Sequence, residues 1–302
     1  MPRSVTIVVC YVRDTHEMMS ACLSSIQRHT KAKASILIAA AEGHLDKGLF
    51  DTVDCFQDKP LHIDVVEVPE RFVEKGHEHG CILDRAIENE VTTPFVLTLD
   101  SDSIPMKDGW LTELLEMMDE GTATAGILHP WAPPPPMRKE KLEWRVRSQH
   151  CWETTHVACQ LIRLQDIKRL RRDGIGYSSG DDTGLGMVKE LKKQGRDCVG
   201  YMPTRCPKPA VDFDAEYNRY SCVVYGDAVI HVGGFTRVTI DGDDAVFNKA
   251  FSWAADKILE DGGAEFLLDD EQAYLYKLDR EEEIAAEKMQ RLFGLEAQRM
   301  TI

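Results

Sequence analysis

Two carboxylates, Asp100 and Asp102, stand one residue apart in the stretch Thr93–Pro105 (Thr-Pro-Phe-Val-Leu-Thr-Leu-Asp-Ser-Asp-Ser-Ile-Pro). Both can serve one site if the chain bends after the apolar run. Acids held together repel unless a cation lies between them. A hard divalent ion carrying a phosphorylated ligand suits such a pair, because Mg²⁺ takes a few carboxylates plus phosphate oxygens. The plain alternative is a polar turn, where Asp and Ser are common. A second acidic pair, Asp181 and Asp182, lies in the glycine-rich stretch Gly174–Gly186 (Gly-Ile-Gly-Tyr-Ser-Ser-Gly-Asp-Asp-Thr-Gly-Leu-Gly). Acids there serve equally as helix caps or, held in a tight turn, as a general base. His231 follows a strand-like run and precedes two glycines. A histidine so placed is a candidate metal ligand or a plain structural residue.

The elements that must position these groups read as alternating strands and helices. Ser4–Val12, Ala34–Ala40, Leu61–Val68 and Phe95–Leu99 are apolar or β-branched runs of strand length, and Ser221–Ile230 reads as one further strand. Helices are expected over His16–His29, capped by Asp14 or Thr15, with Met18, Met19, Cys22, Leu23 and Ile26 as the apolar stripe. More are expected over Cys81–Glu90 after a Gly- and His-rich loop (Gly76–Gly80), over Trp110–Met118, Gln165–Arg172 and Met187–Gly195. Ala125–Leu128 and His156–Arg163 read as strands. The order β-α-β-β-α-β-α points to a mostly parallel α/β sheet. Ligands of such sheets bind beyond the carboxyl ends of the strands, which is where Asp100 and Asp102 fall.

Composition narrows the function. The chain has 302 residues, 43% of them hydrophobic, and a formal net charge of −15. That charge opposes broad binding to nucleic acid, which needs a basic surface. No apolar run reaches the ~18 residues of a membrane span. Val5–Val9 follows the N-terminus without a cationic lead, so no secretory signal is read. The nine cysteines are scattered without a CxxC pair, as expected of reduced thiols in a cytoplasmic protein. A stiff loop, His129-Pro-Trp-Ala-Pro-Pro-Pro-Pro, precedes a basic stretch from Arg138 to Arg147. It reads as an acceptor-side flap or as a solvated helix of mixed charge. An acidic C-terminal part ends in an expected helix from Asp279 to about Gln298, whose apolar stripe would pack on the core or join a second subunit.

Taken together these residues resemble the family-2-like, GT-A fold glycosyltransferases. The resemblance runs from about Ser4 to Arg237 and has parts in the family's order. Val5–Asp14 (VTIVVCYVRD) resembles the strand and turn that hold the nucleotide base. His79-Gly80-Cys-Ile-Leu-Asp84-Arg-Ala-Ile resembles the helix before the central strand. Leu97-Thr-Leu-Asp-Ser-Asp resembles the DxD motif, and Gly180-Asp-Asp-Thr-Gly-Leu the acidic pair that opens the acceptor-side helix. It implies a Rossmann-like GT-A sheet with a C-terminal helical extension. Residues 1–128 would form the nucleotide-sugar half, 129–237 the acceptor-side half and 238–302 the extension.

The resemblance also implies Mn²⁺ or Mg²⁺ and a nucleoside-diphosphate sugar, with UDP the first expectation for the base. Asp102 and His231 would bind the metal, and Asp100 the ribose or the metal's water shell. Tyr11, Arg13, Glu42, His79 and Asp84 would line the donor. Asp182 would be the general base of an inverting transfer, with Asp181 beside it. Two departures stand out. Ala39-Ala40-Ala41-Glu42 occupies the place where an Asp often reads uracil, and Gly80-Cys81 replaces a Gly-Lys, so Arg13 or Arg85 would have to meet the diphosphate. The expected partners are a sugar nucleotide and a hydroxyl acceptor: a small molecule, a glycan, a protein or a hydroxymethylated DNA base. Rival readings are a phosphohydrolase of the haloacid dehalogenase type, a nucleotidyltransferase and a non-catalytic nucleotide-sugar-binding protein.

Overall fold

The computed structural model describes residues 4–13, 15–129, 154–179, 183–201, 203–205 and 223–231. The first half alternates strand and helix: β1 (Val5–Tyr11), α1 (His16–His29), β2 (Ala34–Ala41), α2 (Lys47–Asp54), β3 (Ile63–Val68), α3 (Glu78–Glu90) and β4 (Phe95–Asp100). There follow β5 (Ser103–Pro105), α4 (Trp110–Glu116), β6 (Thr122–His129), β7 (Thr154–Arg163), α5 (Leu164–Arg172), α6 (Leu185–Lys193) and β8 (Asp197–Tyr201). Three short strands complete the described chain: β9 (Pro203–Arg205), β10 (Val223–Tyr225) and β11 (Val229–His231).

One sheet runs in the order β3-β2-β1-β4-β7-β6-β8. β1 to β4 are mutually parallel, β7 is antiparallel to β4 and β6, and β8 is parallel to β6. Strands covered on both faces must be apolar on both, and β1 meets this demand. Val5, Ile7 and Val9 pack with α1, α2 and α4, whereas Val8 packs with α3, α5 and α6. The stripe read on α1 (Met18, Met19, Cys22, Leu23, Ile26) is buried throughout. β1 and β4 lie in register, so that Cys10 faces Asp100 and the two strands end level.

A second, antiparallel sheet has the order β5-β11-β10-β9. Ser103 pairs with His231 across β5 and β11. This small sheet leads the chain beyond Asp102 back against the segment that carries His231.

Several local expectations are corrected. The run Ser221–Ile230 is not one strand: β10 and β11 form a hairpin around Gly226 and Asp227, with φ of 57° and 53°. Two successive left-handed residues make the tight turn that matches strand twist, and Asp tolerates that region better than most side chains. A helix, α2, separates β2 from β3. Its N-cap Asp46 accepts the Leu49 N–H at 2.8 Å. α3 begins at Glu78, inside the stretch read as a loop, and α6 begins at Leu185. Thr15 does not cap α1 through its side chain; its hydroxyl donates back to the Val12 carbonyl. Residues 130–153 and 232–302, on which the proline-rich loop, the basic stretch and the C-terminal helix are expected, lie outside the described residues.

Candidate functional site

The ligand atoms of Asp100, Asp102 and His231 lie within 4.8 Å of one another. Three separate features bring them together. β4 ends at Asp100, the turn that follows buries Asp102, and the β5–β11 pairing returns His231 to the same point. Ser101, between the acids, is buried and donates its hydroxyl to the Met18 sulfur on α1 at 3.4 Å. That contact ties the turn after β4 to α1.

Electrostatically the cluster is poised for a cation. Asp102 is only 4% exposed, and its Oδ1 has no hydrogen-bond partner among the described residues. Burial, and then the charge of Asp100, pushes its carboxyl well above the usual carboxylate range. The nearest cationic candidate is His231, whose Nε2 lies 3.6 Å from that same Oδ1, too far for a hydrogen bond. Cys10 and Cys22 lie in the same negative field. Burial first, and the neighbouring acids second, push both thiols up. A buried polar atom without a partner is costly, and one aimed at a second carboxylate and an imidazole is relieved by a divalent ion. Two carboxylates and one imidazole suit such an ion, and the nitrogen ligand favours Mn²⁺ over Mg²⁺.

The remaining expected site residues fall in distinct places. His79, in the first turn of α3, sets its Nε2 3.3 Å from Asp100 Oδ1. Tyr11 is buried at the end of β1 and donates its hydroxyl to Asp46 at 2.6 Å. Its hydroxyl is thereby tied to the cap of α2. Arg13 is exposed just beyond β1. Glu42 accepts the Glu70 N–H at 2.9 Å, which joins the end of β2 to the turn after β3. Arg85 lies over the Phe72 ring, 4.1 Å from its centroid, and pairs with Glu88 at 3.2 Å.

Asp84 departs most from what the resemblance implied. It is buried, and it accepts the Tyr177 N–H at 2.8 Å, the Ser178 N–H at 3.1 Å and the Ser178 hydroxyl at 2.7 Å. Arg171 adds an ion pair at 3.3 Å. This carboxylate is spent inside the protein rather than turned toward a donor. Asp181 and Asp182 lie outside the described residues.

Sequence reasoning missed His156 on β7. Its ring centroid is 5.6 Å from that of His231, and its Nδ1 accepts the Ala158 N–H at 3.2 Å. The contact arises from the meeting of the two sheets, and nothing in the local pattern around His156 announces it. The close approach of α3 to the glycine-rich turn was missed as well. A Cβ on Gly80 would stand 2.6 Å from Ser178 Cα, so only glycine lets the two backbones meet. Gly80→Ala is expected to cost about 1–3 kcal/mol, as overpacking does, and to lower the melting temperature by several degrees. An unchanged melting curve would mean that the turn moves aside freely.

Known proteins supply the fold. No protein-family model and no curated protein sequence matches the chain. Among solved structures, a mannosyltransferase from Pyrobaculum calidifontis, in complex with GDP-Man and Mn²⁺, superposes with a TM-score of 0.52 at 16% identity, over 98% of this chain and 88% of its own. The architecture is therefore the GT-A fold. A galactosyltransferase in complex with donor and acceptor sugar analogues scores 0.48 at 14% identity, over 82% of this chain and 95% of its own. The glucosyl-3-phosphoglycerate synthase of Mycobacterium tuberculosis scores 0.43 at 13% identity, over 66% and 68%. No helix among the described residues is long and apolar enough to cross a membrane.

Proposed function

We propose that the chain is a metal-dependent glycosyltransferase that moves a sugar from a nucleoside diphosphate to a hydroxyl acceptor. The observation that carries this reading is the cluster of Asp100, Asp102 and His231, with a buried carboxylate oxygen that has no hydrogen-bond partner among the described residues, at the carboxyl end of β4 in a GT-A sheet. Ligands of open α/β sheets bind at that end. A divalent ion bound there would supply charge neutralisation to the diphosphate leaving group as a Lewis acid and template. Asp102 and His231 would hold the ion, and Asp100 would share it or meet the ribose.

The chain's own residues do the rest. His79 orients Asp100 from the N-terminal turn of α3. Glu42 fixes the end of β2 beside the donor, and Arg13 and Arg85 are the cations available to the diphosphate. Asp182 takes the proton from the acceptor hydroxyl in an inverting displacement, and Asp181 keeps it basic by like-charge repulsion. The acceptor is a small molecule, glycan or protein hydroxyl, with a hydroxymethylated DNA base as the remaining option. Residues 1–128 form the donor half, 129–237 the acceptor half and 238–302 an extension able to join a second copy.

A thermal-shift panel of UDP, GDP, dTDP and CDP, each with Mn²⁺ and with EDTA, tests the donor side. A ligand that binds only the native state stabilises it by about 2.7 kcal/mol at a hundred times its Kd. One nucleotide is expected to raise the melting temperature by several degrees with Mn²⁺ and not with EDTA. The matching sugar nucleotide should then release its diphosphate in the presence of Mn²⁺. Silence across the panel, with turnover of phosphate esters instead, would transfer the site to a phosphohydrolase.

A further inference from the structure

Resting on the reading of the site as a metal-dependent transferase, we propose that His156 is a further catalytic residue, which donates its Nε2–H to a phosphate oxygen of the nucleotide's diphosphate. The residue stands on an irregular part of β7. From Gly126 to Leu128 strand β6 advances two residues, whereas β7 runs five between their partners Gln160 and Thr155. β7 therefore bulges over residues 156–159. Bulges are common beside active sites, where they re-aim a side chain. This one is held from several directions. The Thr98 hydroxyl on β4 donates to the Val157 carbonyl at 2.7 Å. The Gln160 amide donates to the Thr155 carbonyl at 3.1 Å and to the Thr155 hydroxyl at 2.9 Å. A Cβ on Gly126 would strike the Cys159 carbonyl, so the neighbouring strand makes room for the bulge by carrying glycine there.

The bulge sets the His156 ring beside the metal cluster. Its centroid lies 5.6 Å from that of His231, with the planes tilted by 37°. One contact fixes the tautomer. His156 Nδ1 accepts the Ala158 N–H at 3.2 Å. A ring nitrogen that accepts carries no hydrogen, so the N–H of this ring is at Nε2. Two roles are thereby separated. A metal ligand must offer an unprotonated nitrogen, and while Nδ1 holds the Ala158 N–H neither nitrogen of His156 does so. A donor role remains. The substrate atoms gathered by a hard divalent ion are phosphate oxygens, and an N–H beside a metal-ligating imidazole meets them as a charge-assisted donor. Closing the bulge alone would need only an acceptor for the Ala158 N–H, which asparagine supplies as well. The imidazole adds a donor at its far edge. In the transfer, the bond from the anomeric carbon to the diphosphate oxygen breaks and its electron pair stays on that oxygen. The acceptor oxygen forms the new bond and loses its proton to the base. His156 keeps its own proton and shares it with the diphosphate, whose charge grows as the bond breaks, so the contact strengthens in the transition state.

The test compares His156→Asn and His156→Gln in the full chain. Asparagine sets its amide oxygen where Nδ1 stands, keeps the Ala158 bond and ends short of the Nε2 position. Glutamine carries its amide nitrogen to the Nε2 position and gives up the Ala158 bond. Measured quantities are the metal-free melting temperature, binding of Mn²⁺ alone, and Mn²⁺-dependent binding of UDP, GDP, dTDP and CDP and of their monophosphates. Release of nucleoside diphosphate from UDP-glucose and GDP-mannose is followed as well. His156→Asn is expected to melt as the wild type does and to bind Mn²⁺ alone unchanged. It should bind the recognised diphosphate roughly tenfold more weakly, as loss of a hydrogen bond to a charged group implies, with the monophosphate unaffected. Its kcat should fall about 10²-fold, as for a lost donor to developing charge. His156→Gln is expected to melt lower and to retain the preference for diphosphate and most of kcat. The opposite pattern would make His156 a structural part of the bulge and overturn the proposal: asparagine like wild type throughout, glutamine impaired toward monophosphate and diphosphate alike. Weaker binding of Mn²⁺ alone by His156→Asn would make the residue a metal ligand and overturn it too. If either variant does not fold, the other decides. A wild type that binds none of the four diphosphates with Mn²⁺ removes the transferase reading and this inference with it. Wild-type binding with an unaffected His156→Asn removes this inference alone.

Discussion

Asp102→Asn should raise the melting temperature of the metal-free protein and abolish its Mn²⁺-dependent response to nucleotide. The two effects have opposite sign and one cause. Asp102 is buried beside Asp100 and has an oxygen without a hydrogen-bond partner among the described residues. Burial, and then the Asp100 charge, holds its carboxyl well above the usual range. In the unfolded chain the same group titrates near the ordinary value of about 3.9. A folded value above the unfolded one means that the associated stability is fully present below the unfolded value, and is lost as pH rises through the folded one. The metal-free wild type is therefore expected to lose stability from acid toward neutral pH at this site.

Asparagine is nearly isosteric and never charged, so that loss disappears. Removing a buried charge without a close partner is expected to gain about 1–3 kcal/mol at neutral pH, a shift of several degrees for a chain of this size. His231 Nε2, 3.6 Å from Asp102 Oδ1, is too far to give that oxygen a hydrogen bond, so burial wins. The amide oxygen is a far weaker ligand than a carboxylate, and nucleotide binding that depends on Mn²⁺ should vanish. Melting curves with and without Mn²⁺, at mildly acidic and neutral pH, check both. A lower melting temperature for metal-free Asp102→Asn would show that the carboxylate has a stabilising partner, and the cation site would lose its main support.

Much of the frame was legible because it depends on local pattern. Val5–Val9 and Phe95–Leu99 are largely apolar runs buried on both faces, as a strand inside a parallel sheet must be. The α1 stripe recurs at helical spacing and is buried as expected. Asp100 and Asp102 could be read because two acids at the end of a buried strand are chemically conspicuous. What failed depends on contacts distant in sequence or on competing local signals. The run Ser221–Ile230 is apolar and β-branched on either side of Gly226, and only the backbone angles at Gly226 and Asp227 reveal a hairpin. α2 hid because Gly48 lowers helix propensity, and its burial of Leu49 and Val53 decides in its favour. His156 reaches His231 through the meeting of two sheets. The contacts of Asp84 were not legible, since a carboxylate on a helix does not disclose that a turn 93 residues onward will donate to it.

Asp182→Asn should leave Mn²⁺-dependent nucleotide binding intact and cut transfer by about 10²–10⁴-fold, the usual worth of a positioned base. The two measurements separate because the donor cluster and the acidic pair come from different elements. Asp100, Asp102 and His231 are gathered by β4, β5 and β11, whereas Asp181 and Asp182 lie in sequence between Tyr177 and Gly184, which are hydrogen-bonded to each other. Asp181→Asn offers a finer check. If Asp181 raises the pKa of Asp182 by like-charge repulsion, its neutralisation lowers that pKa. The acid limb of the kcat profile should then move to lower pH, with a weaker base and a reduced plateau. Asp182→Asn has no such limb. Full transfer by Asp182→Asn would place the base elsewhere and leave the role of the metal cluster untouched. Loss of nucleotide binding by the same variant would draw Asp182 into the donor site, and the division of labour between β4 and the glycine-rich turn would have to be redrawn.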